Sequence, residues 1–173
     1  MSDIKETMKN WETAQKSKQQ QALKFMVELI KQFDARYYGA EYSGEGDSGS
    51  INFTCLSKEP LNPDGNLDCW GGNFLETSDA ILKELQEAAC LTCEVFPADI
   101  RPYQYPGTEK RRTYTVFDAL EHCAYYLLPS GFEINDGGQG VLILDAETGE
   151  VQLETGTNYT EVNYNSISIQ LEE

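Results

Sequence analysis

The chain has 173 residues, with 29 Asp or Glu, 13 Lys or Arg and a formal net charge of −16 at pH 7. This charge argues against direct binding to nucleic acid or to an anionic membrane, and it favours a partner with a basic surface. Hydrophobic residues make up 40% of the chain, which argues against a disordered acidic protein and predicts a single folded domain over residues 1–173.

The sequence predicts a cytoplasmic protein. It contains no apolar run long enough to cross a membrane, and residues 1–10 lack the apolar core of a signal peptide. The five cysteines are an odd number, which does not favour a disulfide framework. We therefore expect the reducing cytoplasm of a bacterial host cell.

A long helix followed by a β-hairpin is predicted for the first third of the chain. Residues 3–35 carry apolar side chains at helical spacing, but the middle of this stretch is polar, so residues 1–20 are expected to project or fray. Strands are predicted over residues 36–42 and 50–56, joined by the glycine-rich loop 43–49. The main helical stripe is Ala22, Phe25, Met26, Leu29, Ile30 and Phe33.

Two shorter helices are predicted in the middle of the chain. The first begins at Thr77 or Ser78 and ends near Thr92. The second begins at Thr115, which with Asp118 resembles a capping box, and it ends before Pro129.

Residues 141–144, 151–155 and 159–171 are predicted to form three antiparallel strands. Alternation along them places one set of side chains inside and another toward water. With the helices, this pattern predicts an α+β fold that has one antiparallel sheet of about five strands and helices packed on one side. The inward set is Val151, Leu153, Val162, Ile167 and Ile169, and the outward set includes Glu150, Gln152, Glu154 and Glu161.

The charge is unevenly distributed along the sequence. Residues 113–173 contain Asp and Glu but no Lys or Arg. Such a segment predicts an acidic surface that contacts a basic partner, although acidic residues also serve solubility alone. The predicted contact residues are Glu133, Asp136, Asp145, Glu147, Glu150, Glu154 and Glu161.

Two acidic glycine loops, at residues 43–49 and 133–140, are expected to meet at one end of the sheet. Carboxylates brought together there would bind Mg²⁺ or Ca²⁺, or would form a contact ridge. The alternative is that both loops are turns, which need glycine for geometry and acids for local hydrogen bonds. The candidate metal ligands are Glu45, Asp47 and Asp136, together with Glu133.

Three short motifs each lack a part that their usual function requires. Residues 46–49 spell GDSG, as around a serine-protease nucleophile, but the one histidine, His122, is expected on the solvent side of a helix. Residues 64–75 begin like an EF-hand loop but lack its glycine and its final glutamate, which leaves at most a loose cation site. Cys90 and Cys93 form a C-x-x-C at a helix C-terminus, which favours buried thiols over a redox or zinc site.

Residues 42–51, YSGEGDSGSI, and residues 131–140, GFEINDGGQG, with GEVQL at 149–153, resemble a small uncharacterised family of acidic proteins from bacteria, phages and plasmids. The resemblance rests on the YSGxGDSGxI and NDGxxG motifs and covers about half of the chain. It implies a mobile-element context, and it carries over no activity, cofactor or catalytic residue.

These observations favour a non-enzymatic acidic protein that inhibits a basic, nucleic-acid-binding host defence protein by nucleic-acid mimicry, as anti-CRISPR and anti-restriction proteins do. The first alternative is a metal-binding module, or a metal-dependent enzyme, that uses the acidic glycine loops with Mg²⁺ or Ca²⁺. The others are an immunity protein against a basic toxin and an accessory subunit. The oligomeric state, and the role of the basic cluster at residues 110–112, stay open at this point.

Overall fold

A computed structural model of the protein describes residues 2–61, 91–103, 113–134 and 136–158, with side chains from residue 4 onward. The predicted helix after residue 77, apart from its end, and the predicted strand 159–171 lie outside these ranges. Two α-helices and six strands are described: α1 (Ser2–Lys31), β1 (Tyr37–Glu45), β2 (Ser48–Ser57), β3 (Leu91–Thr92), β4 (Thr113–Tyr114), α2 (Val116–Ala124), β5 (Gly138–Asp145) and β6 (Glu150–Thr157).

The fold is α+β, as predicted. An antiparallel sheet of four strands has the order β2-β1-β5-β6, and β3 and β4 form a separate two-stranded ribbon. The predicted helix end near Thr92 is wrong, because Leu91 and Thr92 pair with β4 in this ribbon. Two short 3₁₀ turns, Cys93–Val95 and Ala98–Ile100, follow β3 in the chain.

Helix α1 packs into the core only through its second half, which carries the predicted main stripe. Ala22, Met26 and Ile30 are fully buried there, in the main core. The side chains of residues 4–14 are all exposed. The helix therefore contributes to the core mainly through its C-terminal turns.

The capping box of α2 is formed as predicted. The Thr115 hydroxyl accepts a hydrogen bond from the Asp118 backbone N–H at 3.1 Å, and the Asp118 carboxylate accepts one from the Thr115 N–H at 2.8 Å. These two bonds satisfy donors that the first turn of a helix leaves without partners. Helix α2 then buries Leu120 and Cys123 against α1 and the sheet.

Strand β5 is buried on both faces of the sheet. Leu142 and Leu144 pack into the main core with α1 and α2, whereas Val141 and Ile143 pack on the other face in a smaller cluster with Cys55 and Leu61. This explains why residues 141–144 form an apolar run without alternation. The predicted inward side chains of β6 are less buried: Val151 is half-buried against the main core, and Leu153 is 37% exposed.

The β1–β2 hairpin is longer than predicted. Both strands extend into the expected seven-residue loop, and the turn contains only Gly46 and Asp47, with φ of +59° and +68°. Positive φ at both central residues is the backbone of a type I′ turn, whose twist matches that of the flanking strands. A register shift between Glu41 and Tyr42 marks a β-bulge in the same hairpin.

Two glycines on neighbouring strands give a direct test of this packing. A Cβ at position 140 would lie 1.9 Å from the Glu154 carbonyl oxygen and 2.7 Å from the Tyr42 hydroxyl. We therefore expect Gly140→Ala to lower the free energy of unfolding by about 2 to 4 kcal/mol, measured by urea denaturation.

The matched control is Gly156→Ala on β6, where the nearest atom to a new Cβ would be 3.7 Å away. This variant should change stability by less than about 1 kcal/mol. Equal stability of the two variants would contradict the described pairing of β5 with β6.

Candidate functional site

The predicted acidic residues lie at both ends of the four-stranded sheet. Strand β5 begins at Gly138, opposite Gly44 of the hairpin, and ends at Asp145, opposite Tyr37. The two ends are about 24 Å apart, at roughly 3.4 Å per residue. Glu45, Asp47, Glu133 and Asp136 belong to the first end, and Asp145, Glu147 and Glu150 belong to the second.

At the first end the two glycine loops meet, as the sequence predicts. A Cβ at Gly44 would lie 2.6 Å from the Phe132 carbonyl oxygen, and a Cβ at Gly49 would lie 2.5 Å from the Phe132 ring. Gly137 has a φ of +71° and approaches the Gly44 carbonyl so closely that a Cβ would lie 1.7 Å from that oxygen. These glycines therefore allow backbone-to-backbone packing of the two loops.

The carboxylates at this end do not assemble a metal site. Glu45, Asp47 and Asp136 are exposed, and Glu133 is half-buried against the hairpin, with its Oε2 atom buried and without a hydrogen-bond partner in the described structure. Within the described ranges, no group of three or more His, Cys, Asp or Glu side chains is placed to hold a metal ion. The metal hypothesis thus gains no support from these positions.

A polar groove of about 460 Å³, which the sequence does not predict, lies at the same end. The Asn52 amide donates to the Ser43 hydroxyl at 2.7 Å and accepts from the Ser50 hydroxyl at 2.6 Å. Ser48, Ser50 and Asn52 recur at period two, which is the signal that would have revealed the groove. Its lining is Ser43, Gly44, Glu45, Ser48, Gly49, Ser50, Gln139 and Asn158.

At the second end, Arg36 holds two of the predicted contact residues. Its Nε and Nη2 atoms donate to the two carboxylate oxygens of Asp145, at 3.1 and 2.8 Å, and its Nη1 atom pairs with Glu147. The Arg36 guanidinium, with help from the backbone N–H groups of Glu147 and Thr148, holds the pKa of the Asp145 carboxyl below its usual value. Asp145 and Glu147 are therefore partly neutralised within the protein.

The remaining predicted acids of β6 stay free of such pairing. Glu150, Gln152 and Glu154 lie on the sheet face that also carries Val141 and Ile143. Glu154 is the cross-strand partner of Val141, and Gln152 is the partner of Ile143. Glu150 lies two residues before Gln152 on β6, so its side chain is on the same face. Glu150 is exposed and Glu154 is half-buried, and neither forms an ion pair with a Lys or Arg in the described part of the chain. Glu161 lies outside that part.

Glu41 of β1 joins these residues on the same face. It pairs with Val141, which in turn pairs with Glu154, so Glu41 and Glu154 flank one valine. The two interstrand spacings put them about 10 Å apart. Burial raises the pKa of the Glu41 carboxyl. We call Glu41, Glu150 and Glu154 the acidic face.

His122 was expected near Asp118 on the solvent side of its helix; it lines a groove with Asp118, but its ring is half-buried, so the expectation of a solvent-facing side chain is wrong. Its Nε2 atom is 2.7 Å from the Ile100 carbonyl oxygen, and its ring meets Phe96 and Tyr126 edge-on. A groove of about 340 Å³ beside it contains the carboxyls of Asp118 and Glu121. Burial, and secondarily the charge of Asp118, raises the pKa of Glu121.

The described cysteines are buried thiols. Burial raises the pKa of Cys55 to about 11 and that of Cys123 to about 12, so both are protonated at neutral pH. Cys93 of the C-x-x-C motif is also buried, and Cys90 lies outside the described residues.

Comparison with protein-family models, with curated proteins and with solved structures finds no match to this chain. The resemblance to a small acidic family therefore stays a prediction. None of the described helices combines the length and the apolar character that a membrane-spanning helix requires.

The Arg36–Asp145 contact predicts a specific acid sensitivity. Because the pKa of Asp145 is lower in the folded protein than the unfolded value of about 4, its contribution to stability is complete above that pH and disappears as the pH falls through the folded pKa. We expect Asp145→Asn to be less stable than wild type at pH 7, with a smaller loss of stability between neutral and acidic pH.

Urea denaturation at a series of pH values measures this effect. The Asn side chain keeps an oxygen for the backbone N–H of Glu147, so the substitution mainly removes charge. Glu147→Gln is the control, because the Glu147 side chain is 66% exposed and its ion pair with Arg36 should contribute less to the free energy of unfolding. If Asp145→Asn keeps the pH dependence of wild type, the contact does not stabilise the protein in solution.

Proposed function

We propose that this protein is a non-enzymatic interaction protein whose acidic face binds the basic, nucleic-acid-binding surface of another protein. The observation that carries the proposal is the placement of Glu150 and Glu154 on one face of β6, without an ion-pair partner in the described structure. Asp145 lies directly opposite Glu150, but Arg36 pairs with Asp145 and Glu147, so these two residues contribute less free negative charge to the contact surface.

Electrostatics supports a basic partner. The net charge of −16 creates an attractive field for a basic groove and repels nucleic acid. A protein groove that gains affinity by neutralising phosphates also gains it from fixed carboxylates, because counterions are released in both cases. Glu150 and Glu154 lie about 13 Å apart along the strand, which lets them contact different cationic side chains of one groove.

The chemistry of the described residues is also consistent with a role in binding. Burial keeps the Cys55 and Cys123 thiols protonated at neutral pH, so neither is prepared to act as a nucleophile. The ring of His122 is engaged with the Ile100 carbonyl and two aromatic rings. These groups support the folded core.

From the predicted resemblance to acidic phage and plasmid proteins, we propose the cytoplasm of a bacterial host as the setting of this activity. There the partner would be a defence protein with a nucleic-acid channel, and the protein would act as anti-CRISPR or anti-restriction proteins do. A basic toxin nuclease bound by an immunity protein presents the same surface chemistry, so the partner's identity separates these two roles.

The test is capture of partners from a bacterial host lysate by the immobilised full-length protein. We expect a basic nucleic-acid-binding protein whose retention falls steeply with rising salt, because its affinity comes from screened charges and released counterions. Double-stranded DNA added in solution should displace the same partner. Retention that is insensitive to both salt and DNA would contradict nucleic-acid mimicry.

Charge reversal locates the contact surface. We expect Glu150→Lys/Glu154→Lys to reduce retention of the captured partner at least about tenfold, since each reversal replaces attraction with repulsion. The control Glu6→Lys/Glu28→Lys changes the net charge by the same amount on exposed positions of α1. Equal loss in both variants would show that only net charge matters, and no loss in the first would exclude the acidic face.

A further inference from the structure

The N-terminal half of α1 carries an exposed apolar face. Ile4, Met8 and Trp11 have exposed fractions of 66%, 59% and 59%. Spacings of four and three residues place these side chains on one side of an α-helix. We call these three residues the α1 stripe. Single exposed apolar residues are common, but an aligned set on a helix is typical of a contact surface.

The α1 stripe lies on the same side of the helix as its buried residues, from which Gln15 and Lys18 separate it. Ile4, Met8 and Trp11 each precede a buried residue by 18 positions, which is five turns of 3.6 residues. The side chains of the stripe therefore lie in line with those that pack into the core, on the same side of the helix. The corresponding buried residues are Ala22, Met26 and Leu29.

Charged residues flank the stripe on one side only. In a heptad, Ile4 and Trp11 occupy position d and Met8 occupies position a. Lys5 and Glu12 are seven residues apart, so both occupy the flanking position e. Neither forms an ion pair within the described part of the chain. The opposite flank, position g, carries the short side chains of Thr7 and Ala14.

This arrangement is complementary to itself when two helices run antiparallel. The e positions of two antiparallel helices face each other, so Lys5 meets Glu12 of a second copy, and Glu12 meets its Lys5. In a parallel pair the e positions would face Thr7 and Ala14 instead, and no ion pair would form. Antiparallel pairing also places Trp11 against Met8 of the second copy, a favourable contact between sulfur and an aromatic ring.

We propose that the α1 stripe binds a second copy of this chain as an antiparallel helix pair. The pair buries Met8 and Trp11 of both copies against each other, places Ile4 at the edge of the contact opposite Gln15 of the second copy, and forms two reciprocal Lys5–Glu12 ion pairs. The acidic face lies on the sheet, so self-association through α1 leaves it accessible and presents two such faces to a partner. This inference does not depend on what the acidic face binds.

Sedimentation velocity of the full-length protein over a concentration series tests the proposal. We expect a reversible monomer–dimer equilibrium, and we expect Trp11→Glu to raise the dimer dissociation constant at least about tenfold, since a charge replaces the largest apolar contact in both copies. Trp11 lies in the exposed half of the helix, so the variant should keep the wild-type unfolding transition. A wild-type protein that stays monomeric at every concentration, or a dimer unaffected by Trp11→Glu, would overturn the proposal.

A charge swap tests the antiparallel orientation. Lys5→Glu and Glu12→Lys should each raise the dissociation constant several-fold, about threefold to tenfold, because each turns two attractive pairs into repulsive ones. The double variant Lys5→Glu/Glu12→Lys restores both pairs and should return the constant to within about twofold of wild type.

The controls carry the same charge changes away from the predicted contact. Lys9→Glu matches Lys5→Glu, and Glu6→Lys, on the opposite side of the helix, matches Glu12→Lys. If the controls weaken the dimer as much as the single variants, or if the double variant fails to recover, antiparallel pairing is excluded.

Discussion

The sheet of this protein depends on a close contact between two glycine-containing segments that are far apart in sequence. Gly44 and Gly137 approach so closely that a Cβ at position 137 would lie 1.7 Å from the Gly44 carbonyl oxygen, and a Cβ at position 140 would lie 2.7 Å from the Tyr42 hydroxyl. These contacts lie at the start of the β1–β5 pairing, which joins the N-terminal hairpin to a strand roughly a hundred residues later. Closing such a long loop costs entropy, and the core residues on both faces of β5 offset that cost.

The same pairing decides where the charges lie. The β1–β5 register pairs Gly44 with Gly138 at one end and Tyr37 with Asp145 at the other. Arg36, which precedes Tyr37, therefore lies beside the segment 113–173, which contains no Lys or Arg. A hydrogen bond from the Ala146 backbone N–H to the Arg36 carbonyl, at 2.8 Å, holds that end together. The described acidic residues of β5 and β6 are thereby divided into those neutralised by Arg36 and those without an ion-pair partner in the described ranges. The acidic face combines Glu41 from β1 with two residues of β6, so it exists only in the folded sheet.

Local signals in the sequence were accurate where neighbouring residues alone decide the structure. The sequence correctly predicts the Thr115–Asp118 capping box and the buried apolar residues from Ala22 to Ile30 of α1, because both depend on spacing within a few helical turns. Most of the loop predicted at residues 43–49 is strand, because Gly44 and Gly49 pack against Phe132, which leaves only Gly46 and Asp47 in the turn. His122 was misplaced for a similar reason: its neighbour Ile100 comes from another segment, which a helical pattern does not reveal.

The sequence by itself determined the fold class, the acidic character and most of the helix and strand positions, because these follow from composition and from periodicity over short distances. It also marked the two glycine loops as partners at one end of the sheet. Only the tertiary structure decided which carboxylates are available for contact. Pairing with Arg36, burial of Glu133 and exposure of Glu150 depend on strand register and on packing between distant segments, and no local pattern encodes those distances.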